Sequence, residues 1–128
     1  MEITHPEIVH QDQRGTIIDV LAGTDMNYAT VITSKKGVVR GNHYHKKTVQ
    51  WVYLFRGRLK SLSRMPDGPI ETAILEVGDL WKNNPFEEHA LIALEDSEFL
   101  VLTSGLRGGR DYEKDTYRLE KPLQEQIK

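Results

Sequence analysis

Short runs of β-branched and aromatic residues alternate with clusters of Gly, Pro, Asp and Asn along almost the whole chain, at intervals of roughly ten residues. This pattern predicts strands over residues 8–10, 16–21, 28–33, 38–45, 49–55, 58–64, 71–77, 89–94 and 98–103. Turn chemistry separates them: Asp12-Gln-Arg-Gly15, Gly23-Thr-Asp25, Lys35-Lys-Gly37, Pro66-Asp-Gly-Pro69 and Glu95-Asp-Ser97. No stretch before residue 110 keeps the i, i+3, i+4, i+7 apolar spacing of a helix. So many short strands in about 100 residues predict an all-β barrel or sandwich of two antiparallel sheets. The charged stretch Asp111-Tyr-Glu-Lys-Asp-Thr-Tyr-Arg-Leu-Glu120 reads as one helical turn or as an arm laid across the barrel. The polar end, residues 123–128, is expected to be disordered.

Composition narrows the class. The 128 residues are 38% hydrophobic and 28% charged, with no repeat or linker, so one domain over 1–128 is expected. A net charge of −2 argues against a nucleic-acid partner held by bulk electrostatics. There is no cysteine, which removes disulfide and thiolate chemistry and fits a reducing compartment. No apolar run approaches the ~20 residues of a membrane span, and the start lacks a signal-peptide pattern. A cytoplasmic protein without membrane insertion is the expectation.

The informative segment runs from Gly37 to Gly57 and contains His43-Tyr44-His45. In a strand, residues two apart share a face, so His43 and His45 project together. The following strand then places Gln50, Val52 and Leu54 on one face and Trp51, Tyr53 and Phe55 on the other. A third histidine, His89, follows Pro85-Phe-Glu-Glu88, whose two glutamates read as a solvated loop pair. Three converging imidazoles bind a first-row metal or supply an acid and a base near neutral pH. Both alternatives stay open on the residues alone. If the aromatic face points outward, a soluble monomer would expose a large apolar patch. A homodimer burying at least two of Trp51, Tyr53 and Phe55 between subunits is therefore expected.

The spacing Gly37-x5-His43-x-His45-x4-Gln50-x6-Gly57 resembles the first motif of the cupin superfamily, with Gln50 where that motif has glutamate. Gly78 stands eleven residues before His89, as in the second cupin motif. The resemblance implies a cupin-type jelly-roll barrel of two antiparallel sheets, with the short C-terminal arm outside the motifs. The string Arg40-Gly-Asn-His-Tyr-His-Lys-Lys47 followed by Gln50 is similar to the TDP-4-keto-6-deoxyhexose 3,4-ketoisomerases, which use the two histidines without a metal. Their chains also end in an Asp-Tyr-rich segment, like Arg110-Asp-Tyr-Glu-Lys-Asp-Thr-Tyr117 here. The same string resembles the zinc-binding cupin domain of capsular-polysaccharide reductase/epimerases, whose ligands would map onto His45, Gln50 and His89.

The resemblance implies a nucleotide-sugar substrate and an isomerase or epimerase working through an enediolate on a 4-keto-6-deoxy sugar in glycan precursor synthesis. His43 and His45 are the expected catalytic pair. Arg40 is suited to the pyrophosphate through its forked, charge-assisted donors. Gln50, Tyr112 and Tyr117 are expected to complete substrate binding. The cofactor requirement is either none or one divalent zinc, nickel or iron ion held by His43, His45, Gln50 and His89. The alternatives are a non-catalytic metal- or sugar-binding cupin and a metal-dependent oxygenase.

Overall fold

The computed structural model describes residues 1–105 and 112–127, except the side chains of Tyr112 and Glu113. Its strands are β1 (Glu2–Thr4), β2 (Ile8–Asp12), β3 (Gly15–Ile18), β4 (Tyr28–Ser34), β5 (Val39–Tyr44), β6 (Val49–Arg56), β7 (Leu59–Arg64), β8 (Glu71–Leu75), β9 (Leu80–Asn83), β10 (Glu88–Ala93), β11 (Ser97–Ser104) and β12 (Tyr117–Arg118). One sheet has the order β1-β9-β6-β11-β4 and the other β12-β5-β10-β7-β8, while β2 and β3 form a separate hairpin. Their ladders are antiparallel, as the sequence pattern predicts.

The two sheets face each other over one core. Val52, Leu54, Leu59, Leu75, Trp81, Leu91, Ala93, Phe99 and Val101 pack together between them. Leu54, Leu59, Leu75 and Trp81 are completely buried, and each such side chain contributes roughly 1.5–3 kcal/mol of transfer free energy. Gln50, Val52 and Leu54 do face inward on β6, so the predicted alternation of that strand is correct. Toward one end of the barrel the inner face turns polar. Gln50 lies between Asn83 on β9 and Thr103 on β11, all three buried, and His43 pairs with His89 on the opposite sheet.

The outer faces differ from the sequence expectation. Trp51, Leu80 and Leu102 form a second cluster packed by Val20 and Leu21, so Trp51 is buried by its own chain. The segment following the β2–β3 hairpin covers this face, which a two-residue period cannot reveal. Tyr53 is half-buried in the same cluster, and of the three aromatics only Phe55 is exposed, at 41%. The expected uniform aromatic patch is therefore absent, and with it the stated basis for a Trp51-centred interface.

Residues 123–127 are also ordered, contrary to expectation. Residues Leu123–Glu125 form a 3₁₀ turn, and Leu123 is completely buried against Leu62 and Ala90 on the outer face of the second sheet. Leu123 and Gln124 are tied to Asn42, whose carboxamide accepts from the Leu123 amide at 2.8 Å and donates to the Gln124 side chain at 3.1 Å. The arm is thus both of the expected things. It makes a 3₁₀ turn at Tyr112–Asp115, then adds β12 as an edge strand to β5.

Candidate active site

His43 reaches the interior through a local distortion of β5. The β5–β10 register slips between His89 and Ala90, so that His89 opposes His43 while Ala90 opposes Gly41. The extra residue, Asn42, takes φ 58°, a left-handed conformation that asparagine tolerates better than most residues. Gly41, at φ 92°, lies so close to β10 that a Cβ there would sit 2.8 Å from the His89 carbonyl oxygen. The Gly41-Asn42 pair thus allows the bulge that seats His43 beside His89.

The three imidazoles form one cluster. Ring centroids are 4.9 Å apart for His43 and His45, 4.7 Å for His43 and His89, and 5.3 Å for His45 and His89. One ring nitrogen from each lies within 4.8 Å of the others. His45 Nδ1 donates to the main-chain oxygen of Asp115 at 2.7 Å, and His89 Nδ1 donates to that of Glu87 at 3.0 Å. A carbonyl oxygen only accepts, so each ring in its neutral form carries its proton on Nδ1 and keeps a lone pair on Nε2. His45 Nε2 is buried with no hydrogen-bond partner among the described residues.

Asp115 also braces the turn after His45. Its carboxylate accepts from the amides of Lys46, Lys47 and Thr48 at 2.9 Å each and from the Thr48 hydroxyl at 2.8 Å. Burial pushes this carboxyl up, but the donors together outweigh burial and hold it below the usual carboxylate range.

The cluster opens onto a cavity of about 550 Å³ between the sheets. His43 and His89 line it together with Gln50, Asn83, Arg40 and Arg118. Trp81 forms part of the same wall, edge-on to His89 at 6.3 Å. Trp81 Nε1 and Asn83 Oδ1 are buried without partners among the described residues. A buried donor and acceptor left open in a cavity wall are disposed to hydrogen-bond a polar guest.

The sequence-derived candidates divide accordingly. His43, Gln50 and His89 are brought together as expected, whereas His45 belongs to the cluster without lining the cavity. Arg40 lines the cavity, but its guanidinium already donates to Ser34 Oγ at 2.7 Å and to the Thr33 carbonyl at 2.9 Å. Tyr117 does not line the cavity; it stacks on Tyr44 at 5.3 Å under the Lys46 ammonium. Tyr117 pairs with Tyr44, which alternates away from His43, so the next residue, Arg118, is the one that faces the cavity. The Tyr112 side chain lies outside the described residues. Glu87 and Glu88 are not a solvated pair: Glu87 is buried and accepts from the Asn84 amide, and Glu88 pairs with Arg64 at 2.7 Å. Sequence reasoning missed Trp81, Asn83 and Arg118, because β9 and β12 are too short to stand out among their turn residues.

Comparison with known proteins agrees with this architecture. A family model described as the polysaccharide biosynthesis C-terminal domain matches residues 10–68. No curated protein matches significantly. Among solved structures, a sugar 3,4-ketoisomerase from Thermoanaerobacterium thermosaccharolyticum in complex with TDP superposes with a TM-score of 0.77 at 21% identity, over 93% of this chain and 88% of that one. A dTDP-4-dehydrorhamnose 3,5-epimerase from Sulfolobus tokodaii gives 0.74 at 21% identity, over 89% and 73% of the two chains. The Mycobacterium tuberculosis rmlC epimerase gives 0.76 at 18% identity, over 91% and 67%. The chain accordingly has the cupin-type jelly-roll fold that is also the fold of these sugar-nucleotide epimerases and ketoisomerases.

Proposed function

We propose that the protein is an isomerase or epimerase acting on a nucleotide-linked 4-keto-6-deoxy sugar. The observation that carries this reading is His43, a member of a buried imidazole cluster, on the wall of a cavity otherwise lined by hydrogen-bond donors and apolar side chains. A proton α to a ketone is removed by a base that titrates near the working pH, and histidine is the side chain suited to that task. His43 is the candidate base. The enediolate oxygen that forms needs donors placed in advance, and the amides of Gln50 and Asn83 with the Arg118 guanidinium supply them. Arg40 offers positive charge to the pyrophosphate. Return of the proton to the neighbouring carbon, with the hydroxyl proton of the first carbon passing to the oxygen of the second, moves the keto group. Delivery of a proton to the opposite face of the same carbon, from a second donor across from His43, epimerises it. The solved structures with this fold include enzymes of both kinds, and a polysaccharide-biosynthesis family model covers the histidine motif, which supports the substrate class.

The test is incubation with TDP-4-keto-6-deoxyglucose in deuterated water, followed by NMR at C3 and C4 of the sugar. Solvent deuterium at either carbon, abolished by His43→Asn, is the expected result. No exchange and no rearrangement, with related keto-sugar nucleotides equally inert, overturns the reading.

A second reading, a metal- or sugar-binding cupin without catalysis, is favoured by the Nε2 lone pairs that the Asp115 and Glu87 carbonyls leave on His45 and His89. With His43 they fit one divalent zinc, nickel or iron ion, and Gln50 offers an amide oxygen where a carboxylate would bind more strongly. Such an ion, when bound, supplies Lewis-acid polarisation of a ligand oxygen. Stoichiometric metal after native purification, lost in His45→Ala, would support this second reading.

A homodimer is also proposed, on a new basis. Ile8, Val9 and Ile17 on the β2–β3 hairpin and Val31 on the edge strand β4 are all at least half exposed, and an isolated two-stranded hairpin is marginal in water. A nucleotide-linked substrate and a cysteine-free chain fit a cytoplasmic location. Among the described residues no helix is long and apolar enough to cross a membrane.

A further inference from the structure

We infer that Asp115 is a positioning residue, which uses the C-terminal arm to hold the His45 ring in the tautomer that presents an Nε2 lone pair to His43 and His89. Two contacts from one residue carry the inference. The main-chain oxygen of Asp115 receives His45 Nδ1–H at 2.7 Å. Its carboxylate receives the amides of Lys46, Lys47 and Thr48 and the Thr48 hydroxyl, the turn that directly follows His45. The side chain therefore grips the β5–β6 connection that directly follows the histidine the main chain orients. Asp115 lies 70 positions from His45 in sequence and is itself buried, so the contact exists only when the arm is docked.

The geometry leaves the ring little choice. With its proton on Nε2 instead, His45 would turn a lone pair on Nδ1 toward the lone pairs of the Asp115 carbonyl. Donation to the Asp115 carbonyl is therefore what sets the tautomer of His45. Loosening the arm removes that restraint and lets both tautomers populate. His89 has its own carbonyl partner, Glu87, on the barrel side and does not depend on the arm. It is a built-in control. The inference uses the proposed site only in that His45 belongs to it, and its test needs no substrate.

The test is the two-bond proton–nitrogen NMR spectrum of the imidazoles in ¹⁵N-labelled protein, dialysed against EDTA, about two pH units above the ordinary imidazole pKa. The wild-type protein should show His45 and His89 each with one protonated and one lone-pair nitrogen, well separated in shift. In Asp115→Ala the two His45 nitrogens should move toward a common averaged value while those of His89 keep their separation. Thr48→Val, which removes one of the four bonds, should move His45 the same way by a smaller amount. It decides the matter alone if the alanine variant does not fold. Unchanged His45 nitrogens in the folded variants overturn the inference. Equal averaging at His45 and His89 also overturns it, because Asp115 would then support the barrel in general and not this ring. Failure of the sugar reaction with the tautomer result intact leaves the positioning role standing.

Discussion

Leu123→Ala tests whether the C-terminal arm is part of the fold or only rests on it. The side chain is completely buried against Leu62 and Ala90, with Ile70, Ile92 and Leu119 around the cluster. Removing its outer carbons forfeits about 2 kcal/mol of transfer free energy at roughly 0.8 kcal/mol per methylene-sized group. A residual cavity adds to this if the site fails to collapse, and measured Leu→Ala losses span about 2–5 kcal/mol. Collapse is restrained here on both sides. The Leu123 amide is held by Asn42 Oδ1 at 2.8 Å, and the Leu123 carbonyl receives the Gln126 amide at 3.0 Å. The surface position of the arm works the other way and allows some relaxation. A loss of about 3 kcal/mol is expected. Urea unfolding followed by tryptophan fluorescence reads it directly, since Trp81 is fully buried in the core. With an m-value of roughly 1.5 kcal/mol/M, the midpoint should fall by about 2 M. A loss below about 1 kcal/mol would refute the reasoning, because it would mean that the arm contributes little of the burial it displays.

Three further outcomes are expected. Asp115 binds its proton less readily when folded than when unfolded, so its contribution is complete above the usual carboxylate range and is lost as pH falls through its lowered folded value. Urea curves should thus show Asp115→Asn well below wild type near neutral pH, and the gap should narrow as pH falls below the usual carboxylate range; a gap independent of pH would contradict the assignment. Gln50→Glu places a carboxylate in a buried wall, which costs several kcal/mol unless it is paired, so the variant should melt lower without metal and gain more from added zinc than wild type does. Equal zinc responses would count against a metal site that includes position 50. Light scattering at micromolar concentration should give twice the 14.7 kDa chain mass, with Val9→Lys combined with Ile17→Lys shifting it toward one chain. A monomer mass for the unmodified protein would remove the dimer.

Much of the fold is legible in the sequence because a two-residue period reports the pleat directly. The runs at 28–33, 49–55, 58–64 and 98–103 correspond to β4, β6, β7 and β11 within a residue or two at each end. Strand alternation likewise puts His43 and His45 on one face, whereas His89 is anticipated only through the cupin-like spacing from Gly78 and reaches them across the long-range β5–β10 pairing. Neither β1 nor β9 is legible. Three or four residues between turn formers carry too little pattern, and these strands form only because β6 offers β9 an edge and β9 then offers one to β1.

What the sequence alone determined, then, is which residues are strand-like and which histidines share a face, because both follow from bonds along the chain. Tertiary structure decided what lies across each face. It covered Trp51 with Val20 and Leu21, turned Tyr117 onto Tyr44 while Arg118 took the cavity side, and docked Leu123 on the barrel. It also set the state of the imidazoles, through main-chain carbonyls of Asp115 and Glu87 that any residue type could have supplied. A carbonyl has no residue identity, so its effect on a distant ring is written in the register of strands and turns and not in the amino-acid code.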